Sequence, residues 1–318
     1  MGLFHCPVGA AGRGGDGCID CGLCVAGSKA ERAEATRRIR AYIRATAQQD
    51  TRRFIRKIAL CGKGGAGKST VTALLSKALE HLGYESFVID TDHSNAGLWR
   101  KLGLSQAPPP IYGLEGAEKE ALLGWMSQEL IAFDEVPLAV APAVGRRRLL
   151  AVGKLEDPLE GCACAMGAYA RQLIQNLATG DGQMVLADQE AGVESFGRGV
   201  EAACDTVLIV VEPSGESLQL AAKIQEMAQG LGIRRVRAIL NKIESQAQLD
   251  YMEEALSDAG VRYLGYISAA PQVSMANLRG MPPEDPAALA QVEQMAKLML
   301  DEAEMRYLRR DKKGEVPC

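Results

Sequence analysis

The chain has 318 residues, 47% of them hydrophobic and 24% charged, which is ordinary for one large globular domain with a small addition. Its net charge of -4 gives no bulk attraction for nucleic acid. No apolar run approaches the roughly 18 residues that a membrane span needs, and the N-terminus lacks the pattern of a secretory signal. We therefore expect a cytoplasmic protein with neither nucleic acid nor membrane as its partner.

Residues 1–28 are rich in glycine and cysteine and too short to hold a hydrophobic core, so a metal would have to organise them. Three cysteines at three-residue intervals, together with a remote Cys-Pro pair, resemble the ligand set of a ferredoxin-type 4Fe-4S cluster. The four cysteines are Cys6, Cys18, Cys21 and Cys24. A four-cysteine zinc site and unstructured thiols are the alternatives, and His5 or Asp16 could replace one ligand.

Residues 29–53 form a basic linker in which Ala33, Ile39, Ile43 and Ala47 recur at near-helical intervals among arginines. This spacing predicts an amphipathic helix that ties the cysteine segment to the main domain. Its basic face could dock an acidic partner, although such charge runs are more often solvated faces. The main domain is predicted over residues 54–305 and a short tail over 306–318.

From residue 54 onward, short apolar runs alternate with helical stretches. The predicted strands are Phe54–Cys61, Ser86–Asp90, Leu138–Val144, Met184–Asp188, Val207–Glu212, Val236–Asn241 and Tyr263–Ile267. Helices are predicted from Lys68, over Ala121–Phe133 and over Ala288–Arg310. This alternation indicates an α/β fold, a mostly parallel sheet with helices on both faces.

The first of these strands runs directly into a glycine-rich loop and then into a helix, which is the context that a P-loop requires. The loop and the residue after it read Gly62, Lys63, Gly64, Gly65, Ala66, Gly67, Lys68, Ser69 and Thr70. Such glycines let backbone N–H groups converge on the phosphates of ATP. Lys68 would reach the β- and γ-phosphates as a catalytic residue, and Ser69 would ligate Mg²⁺.

The lysine at the second loop position makes this motif similar to the deviant P-loop of the nitrogenase iron protein and the Min and ParA proteins, which have a SIMIBI-type fold. The resemblance implies that Lys63 crosses a homodimer interface and contacts the phosphates of the neighbouring subunit. A cation supplied in this way stabilises charge on the transferred phosphoryl group and couples hydrolysis to dimerisation.

Two strand ends carry acidic residues that resemble switch I and switch II of the same class. At the first, the resemblance implies that Asp92 positions the attacking water and that Asp90 supports the Mg²⁺ shell. At the second, it implies that Asp188 contacts Mg²⁺ through water. Asn241 and Lys242 follow another strand, at a position where this class commonly recognises the adenine base.

Two further features narrow the resemblance to the CooC-type ATPases, which mature nickel-dependent carbon monoxide dehydrogenase. One is the Cys-x-Cys pair Cys162 and Cys164, and the other is the acidic-Ala-Gly-x-Glu stretch of switch II with its following Arg198. Two thiolates one residue apart do not close a four-coordinate site, whereas a twofold dimer supplies four thiolates, which suit Ni²⁺ or Zn²⁺. A pair of reduced structural cysteines is the alternative. The chain departs from this family at Ser195, where members have histidine.

The resemblance implies an ATP-hydrolysing homodimer that assists nickel insertion into a client metalloenzyme of the carbon monoxide dehydrogenase type. The alternative is an ATP-gated electron donor to a partner metalloprotein, in the manner of the nitrogenase iron protein, with the N-terminal cluster as its redox centre. Cys61 and Cys204 lie in or beside apolar strand-like stretches, where a thiol is expected to pack as a small hydrophobic group.

Overall fold

The computed structural model describes residues 30–31, 34, 56–93, 97–112, 114, 122–128, 130–153 and 163–311. The cysteine segment predicted over 1–28 lies outside the described residues, and so do Cys162 and most of the predicted linker helix. Ala30, Glu31 and Glu34, the described residues of that linker, are helical.

Eight strands in the described part of the chain form one sheet in the order β3-β4-β2-β5-β1-β6-β7-β8. They are β1 Lys57–Gly62, β2 Glu85–Asp90, β3 Ala143–Val144, β4 Arg147–Ala151, β5 Gln183–Asp188, β6 Thr206–Val211, β7 Arg235–Ile243 and β8 Tyr263–Ser268. The short β3 pairs with β4 antiparallel, and the other neighbouring strands are parallel. The predicted mostly parallel sheet is confirmed.

Helices connect the strands and cover the sheet. They are α1 Lys68–His81, α2 Leu98–Lys101, α3 Ala163–Asn176, α4 Glu194–Arg198, α5 Gly215–Gly230, α6 Gln246–Asp258, α7 Pro271–Arg279 and α8 Pro286–Asp311. The last of these confirms the helix predicted over Ala288–Arg310. None of the helices in the described ranges is long and apolar enough to cross a membrane.

The sheet separates two hydrophobic clusters because successive side chains of a strand point to opposite faces. In β1, Ile58 and Leu60 belong to the cluster under α1 and α8, whereas Ala59 and Cys61 belong to the cluster under α3, α5 and α6. All six residues of β1 are buried. Cys61 and Cys204 are 1% and 4% exposed, so both pack as expected of small hydrophobic groups.

Between residues 105 and 157, one predicted element is wrong and another is confirmed only in part. The strand expected over Leu138–Val144 is mostly a turn, with Leu138 64% exposed, and the strand that joins β2 is Arg147–Ala151. The helix expected over Ala121–Phe133 is present only at its start: Leu122 and Leu123 are helical, and the described residues after them form short 3-10 turns at Gly124–Ser127 and Phe133–Glu135.

The physical reason for the displaced strand is a buried arginine. Arg148 is 7% exposed, and its guanidinium donates to the main-chain carbonyls of Phe133, Val136 and Ala141. A charged side chain in a sequence argues against a buried strand, yet here carbonyl groups of the preceding loop supply its hydrogen bonds. The hydrophobic pattern around Arg148 does not show that these carbonyl groups are available, so it does not predict the strand.

Candidate nucleotide-binding site

The loop between β1 and α1 requires glycine at two positions. Gly62 has φ +146°, and a Cβ built on it would lie 2.4 Å from the carbonyl oxygen of Val210 in the neighbouring strand. Gly67 caps α1 with φ +97°, and a Cβ there would lie 2.4 Å from Nδ2 of Asn241. Residues with a side chain rarely adopt a backbone conformation with such a positive φ, and here a Cβ would also be too close to its neighbours. Local geometry therefore explains why both residues are glycine.

The loop opens onto the positive end of α1. The first turn of this helix contains no acidic residue, and Lys68 at its start is 7% exposed, with Nζ 3.3 Å from the carbonyl oxygen of Lys63. Backbone N–H groups at a helix N-terminus attract anions, and a lysine beside them strengthens that attraction. The arrangement suits the phosphates of a nucleotide.

Lys63 lies at the rim of the loop, where it pairs with carboxylates of its own chain. Its Nζ is 3.3 Å from Glu216 and 3.5 Å from Glu212. The hydrogen bond to Glu216 raises the pKa of Lys63, so the ammonium stays charged. The side chain is 37% exposed, and its predicted reach into a second subunit stays a prediction.

The acidic residues expected to organise Mg²⁺ converge at the carboxyl ends of β2 and β5. Asp90 and Asp188 are opposite each other in the parallel pairing, and a hydrogen bond joins Ser69 to Asp188. Burial raises the pKa of Asp188 to about 6; Ser69 and Lys68 oppose this shift, and the charge of Asp92 adds to it. A buried carboxylate close to a second one fits a site for a divalent cation, whose preferred ligands are oxygens.

Switch II is tied directly to the loop by main-chain hydrogen bonds. The amide of Gly192 donates to the carbonyl of Gly62 at 3.1 Å, and the amide of Gln189 donates to the carbonyl of Leu60 at 3.1 Å. Thr91 after β2 donates its hydroxyl to Oε1 of Gln189 at 3.1 Å. Nε2 of Gln189 is buried, and no described residue accepts a hydrogen bond from it. Sequence reasoning missed Thr91 and Gln189, whose partners lie on other strands.

Asn241 and Lys242, which were expected near the base, contact the loop itself. Nδ2 of Asn241 donates to the carbonyl of Ala66 at 2.8 Å, and Nζ of Lys242 donates to the carbonyl of Gly65 at 2.6 Å. Lys242 has φ +63° and also pairs with Glu212 at 2.8 Å. Both residues therefore brace the phosphate-binding loop. A cavity of about 350 Å³ opens beside them at the carboxyl ends of β7 and β8.

Thr70, Lys101 and Asn277 form a further contact at the first turn of α1, and the sequence patterns did not predict it. Thr70 in the first turn donates its hydroxyl to Oδ1 of Asn277 in α7 at 3.0 Å. Lys101 at the end of α2 places Nζ 3.4 Å from the Thr70 hydroxyl and donates to the same Asn277 oxygen. Burial lowers the pKa of Lys101, and the charge of Asp188 partly offsets this effect.

Switch II also packs against the helix that carries the second cysteine of the Cys-x-Cys pair. Helix α3 begins at Ala163, so Cys164 lies in its first turn. A Cβ on Gly167 would lie 2.8–3.3 Å from three side-chain carbons of Arg198, which itself pairs with Glu190. Cys162 lies outside the described residues, among which no group of three or more potential ligands could hold a metal ion.

A buried carboxylate lies under switch II. Ser195 donates its hydroxyl to Oε1 of Glu201, and Sγ of Cys61 is 4.0 Å from the same oxygen. Burial raises the pKa of Glu201 to about 7, while the hydrogen bond from Ser195 opposes the shift. The residue at which this chain departs from the CooC-type pattern thus holds switch II to the core.

Residues 58–283 match the family of the CobQ/CobB/MinD/ParA nucleotide binding domain. An uncharacterised ATP-binding protein of Methanocaldococcus jannaschii is 37% identical over 212 residues, which are 64% of this chain and 84% of that protein. The carbon monoxide dehydrogenase accessory protein CooC of Rhodospirillum rubrum is 34% identical over 206 residues, which are 62% of this chain and 78% of that protein.

The fold is similar to that of the septum site-determining protein MinD of Pyrococcus horikoshii, which was solved in complex with Mg-ADP. The TM-score is 0.59 at 19% identity, and the match covers 79% of this chain and 98% of that one. At this identity the likeness concerns the fold alone.

Proposed function

This chain is a member of the CobQ/CobB/MinD/ParA family and an ATPase, and we propose that it acts as a homodimeric maturation factor that delivers nickel to a carbon monoxide dehydrogenase-type enzyme. The contact between Gly167 and Arg198 carries the proposal. It joins switch II to the helix of Cys164, so a change that nucleotide causes in switch II would reach the cysteine pair. The 34% identity to a carbon monoxide dehydrogenase accessory protein supports this client class.

In the nucleotide half of this cycle, Lys68 holds the phosphates, and Ser69, Asp90 and Asp188 support Mg²⁺. Bound Mg²⁺ would supply positive charge that offsets the charge of the phosphate chain. Asp92 orients the attacking water. Lys63 reaches the phosphates of the second subunit and leaves Glu212 and Glu216 as the dimer closes.

In the metal half, nickel is the cargo. Cys162 and Cys164 of each subunit supply four thiolates to one Ni²⁺, or to Zn²⁺ when zinc replaces it. A site shared across a twofold axis forms only when the two chains close, which links metal binding to the nucleotide state. The cysteine segment at residues 1–28 adds a 4Fe-4S cluster that docks on the client or senses redox state.

The test removes the cysteine pair in the full-length chain. We expect the double variant Cys162→Ala and Cys164→Ala to lose the bound nickel, about half an equivalent per chain, and to dimerise less with ATP and Ni²⁺. Anaerobic equilibrium dialysis and light scattering measure the two properties. The control, Cys61→Ala with Cys204→Ala, removes two buried thiols and leaves the N-terminal cysteines in place. Equal nickel binding by both double variants would overturn the proposal.

A further inference from the structure

Lys101 reaches the nucleotide site from the switch I side, although no motif contains it. It ends α2, the short helix that follows Asp90 and Asp92 along the chain. Leu98 and Leu102 in the same turn are each 1% exposed and anchor α2 in the core under α1. The packing of these two leucines therefore fixes α2 so that the Lys101 ammonium lies beside the first turn of α1.

The partners of this ammonium are neutral. Among the described residues it donates to the side-chain oxygens of Thr70 and Asn277 and forms no ion pair with a carboxylate. Asp188 attracts it from a greater distance and is itself hydrogen-bonded to Ser69 and Thr72. A partly buried lysine without a carboxylate partner has lost hydration that its neutral hydrogen bonds replace incompletely.

The first turn of α1, which Lys101 contacts, favours an anion. The first turn of α1 has no acidic residue, Lys68 lies at its start, and the helix dipole places partial positive charge at the same end. A bound phosphate chain would give the Lys101 ammonium a charged acceptor.

We propose that Lys101 is a phosphate-contacting residue that donates to the part of the phosphate chain that ATP and ADP share. Thr70, which it contacts, lies one residue beyond Ser69, whereas Lys68 places its Nζ 3.3 Å from the carbonyl oxygen of Lys63 near the start of the loop. Because α2 follows switch I directly, the contact also connects the bound nucleotide to that switch.

The test measures Mg-ADP and Mg-ATP affinity by calorimetry on the full-length chain. Lys101→Gln keeps a hydrogen-bond donor and removes the charge, so we expect both affinities to fall by about tenfold, the size of one charge-assisted hydrogen bond. Lys101→Arg should stay within about threefold of the wild type. Lys77→Gln is the matched control, because Lys77 lies on α1, the helix whose first turn Lys101 contacts, but pairs with Glu80 at 2.9 Å near the other end of that helix.

A second variant separates phosphate binding from a purely structural link between α2 and α7. Asn277→Ala removes the neutral partner and keeps the ammonium, so affinity should stay within about threefold of the wild type. The proposal is overturned if Lys101→Gln binds both nucleotides as tightly as Lys77→Gln does. It is also overturned if Asn277→Ala loses as much affinity as Lys101→Gln, or if ATP alone is affected.

Discussion

Gly67 shows how one residue controls the phosphate-binding loop. It combines a left-handed backbone with contact to Asn241, whose amide holds the Ala66 carbonyl. Gly67→Ala should therefore cost about 1–3 kcal/mol of folding stability from backbone strain and also displace the Asn241 brace. We expect nucleotide binding to fall at least tenfold, as measured by titration with a fluorescent ATP analogue.

The matched control is Gly83→Ala, at the other end of α1. Gly83 has φ +88°, close to that of Gly67, but a Cβ there would meet nothing within 4 Å. Its strain should cost similar stability and leave nucleotide binding intact. If the two variants bind ATP equally well, contact with Asn241 does not shape the loop.

At the scale of elements, α3 and α4 are packed closely at a single glycine. Gly167→Ala places a methyl group 2.8–3.3 Å from the stem of Arg198, and overpacking of this kind costs about 1–3 kcal/mol. This cost exceeds the roughly 0.5–1 kcal/mol that alanine contributes in a helix. We expect lower thermal stability and slower ATP turnover, because switch II must shift to make room.

Gly197→Ala in α4 is the control for this contact. It makes the same substitution in a helix, but its Cβ would meet nothing within 4 Å. It should preserve ATP turnover and slightly raise the melting temperature. Equal turnover in the two variants would mean that the α3–α4 contact is not connected to the nucleotide cycle.

The pH dependence of the unfolding free energy is a property of the whole molecule, because unfolding exposes every buried acid at once. The pKa of Glu201 is raised to about 7 in the folded protein, against 4.5 when it is exposed. The folded state therefore binds a proton that the unfolded state lacks between these values. Stability should fall as pH rises from about 4.5 to about 7, by on the order of 3 kcal/mol, and this contribution then levels off.

Glu201→Gln removes this titration and keeps an oxygen that accepts the Ser195 hydrogen bond. Its unfolding free energy, measured with urea from pH 5 to pH 8, should depend less on pH than that of the wild type. Asp188 has a pKa raised in the same direction, but it is present in both proteins, so its contribution cancels in the comparison. Identical slopes would show that Glu201 stays charged in the folded state.

The strand-and-helix alternation and the loop from Gly62 to Ser69 were readable along the chain because they depend on neighbouring residues. Side chains alternate between the faces of a strand, and glycine marks positions where a Cβ does not fit. These local requirements are visible in the order of residues. They predicted seven strand positions, of which the one at Leu138–Val144 was wrong.

Contacts between residues far apart in the sequence could be identified only from the tertiary structure. Lys101 and Asn277 are 176 residues apart, and Asn241 and Ala66 are 175 apart, so neither pair has a signature in a local pattern. Arg148 joins a buried strand because carbonyls of a preceding loop satisfy it. A hydrogen bond or a buried charge depends on what lies across the core, whereas a glycine turn or an amphipathic period depends on the few residues beside it.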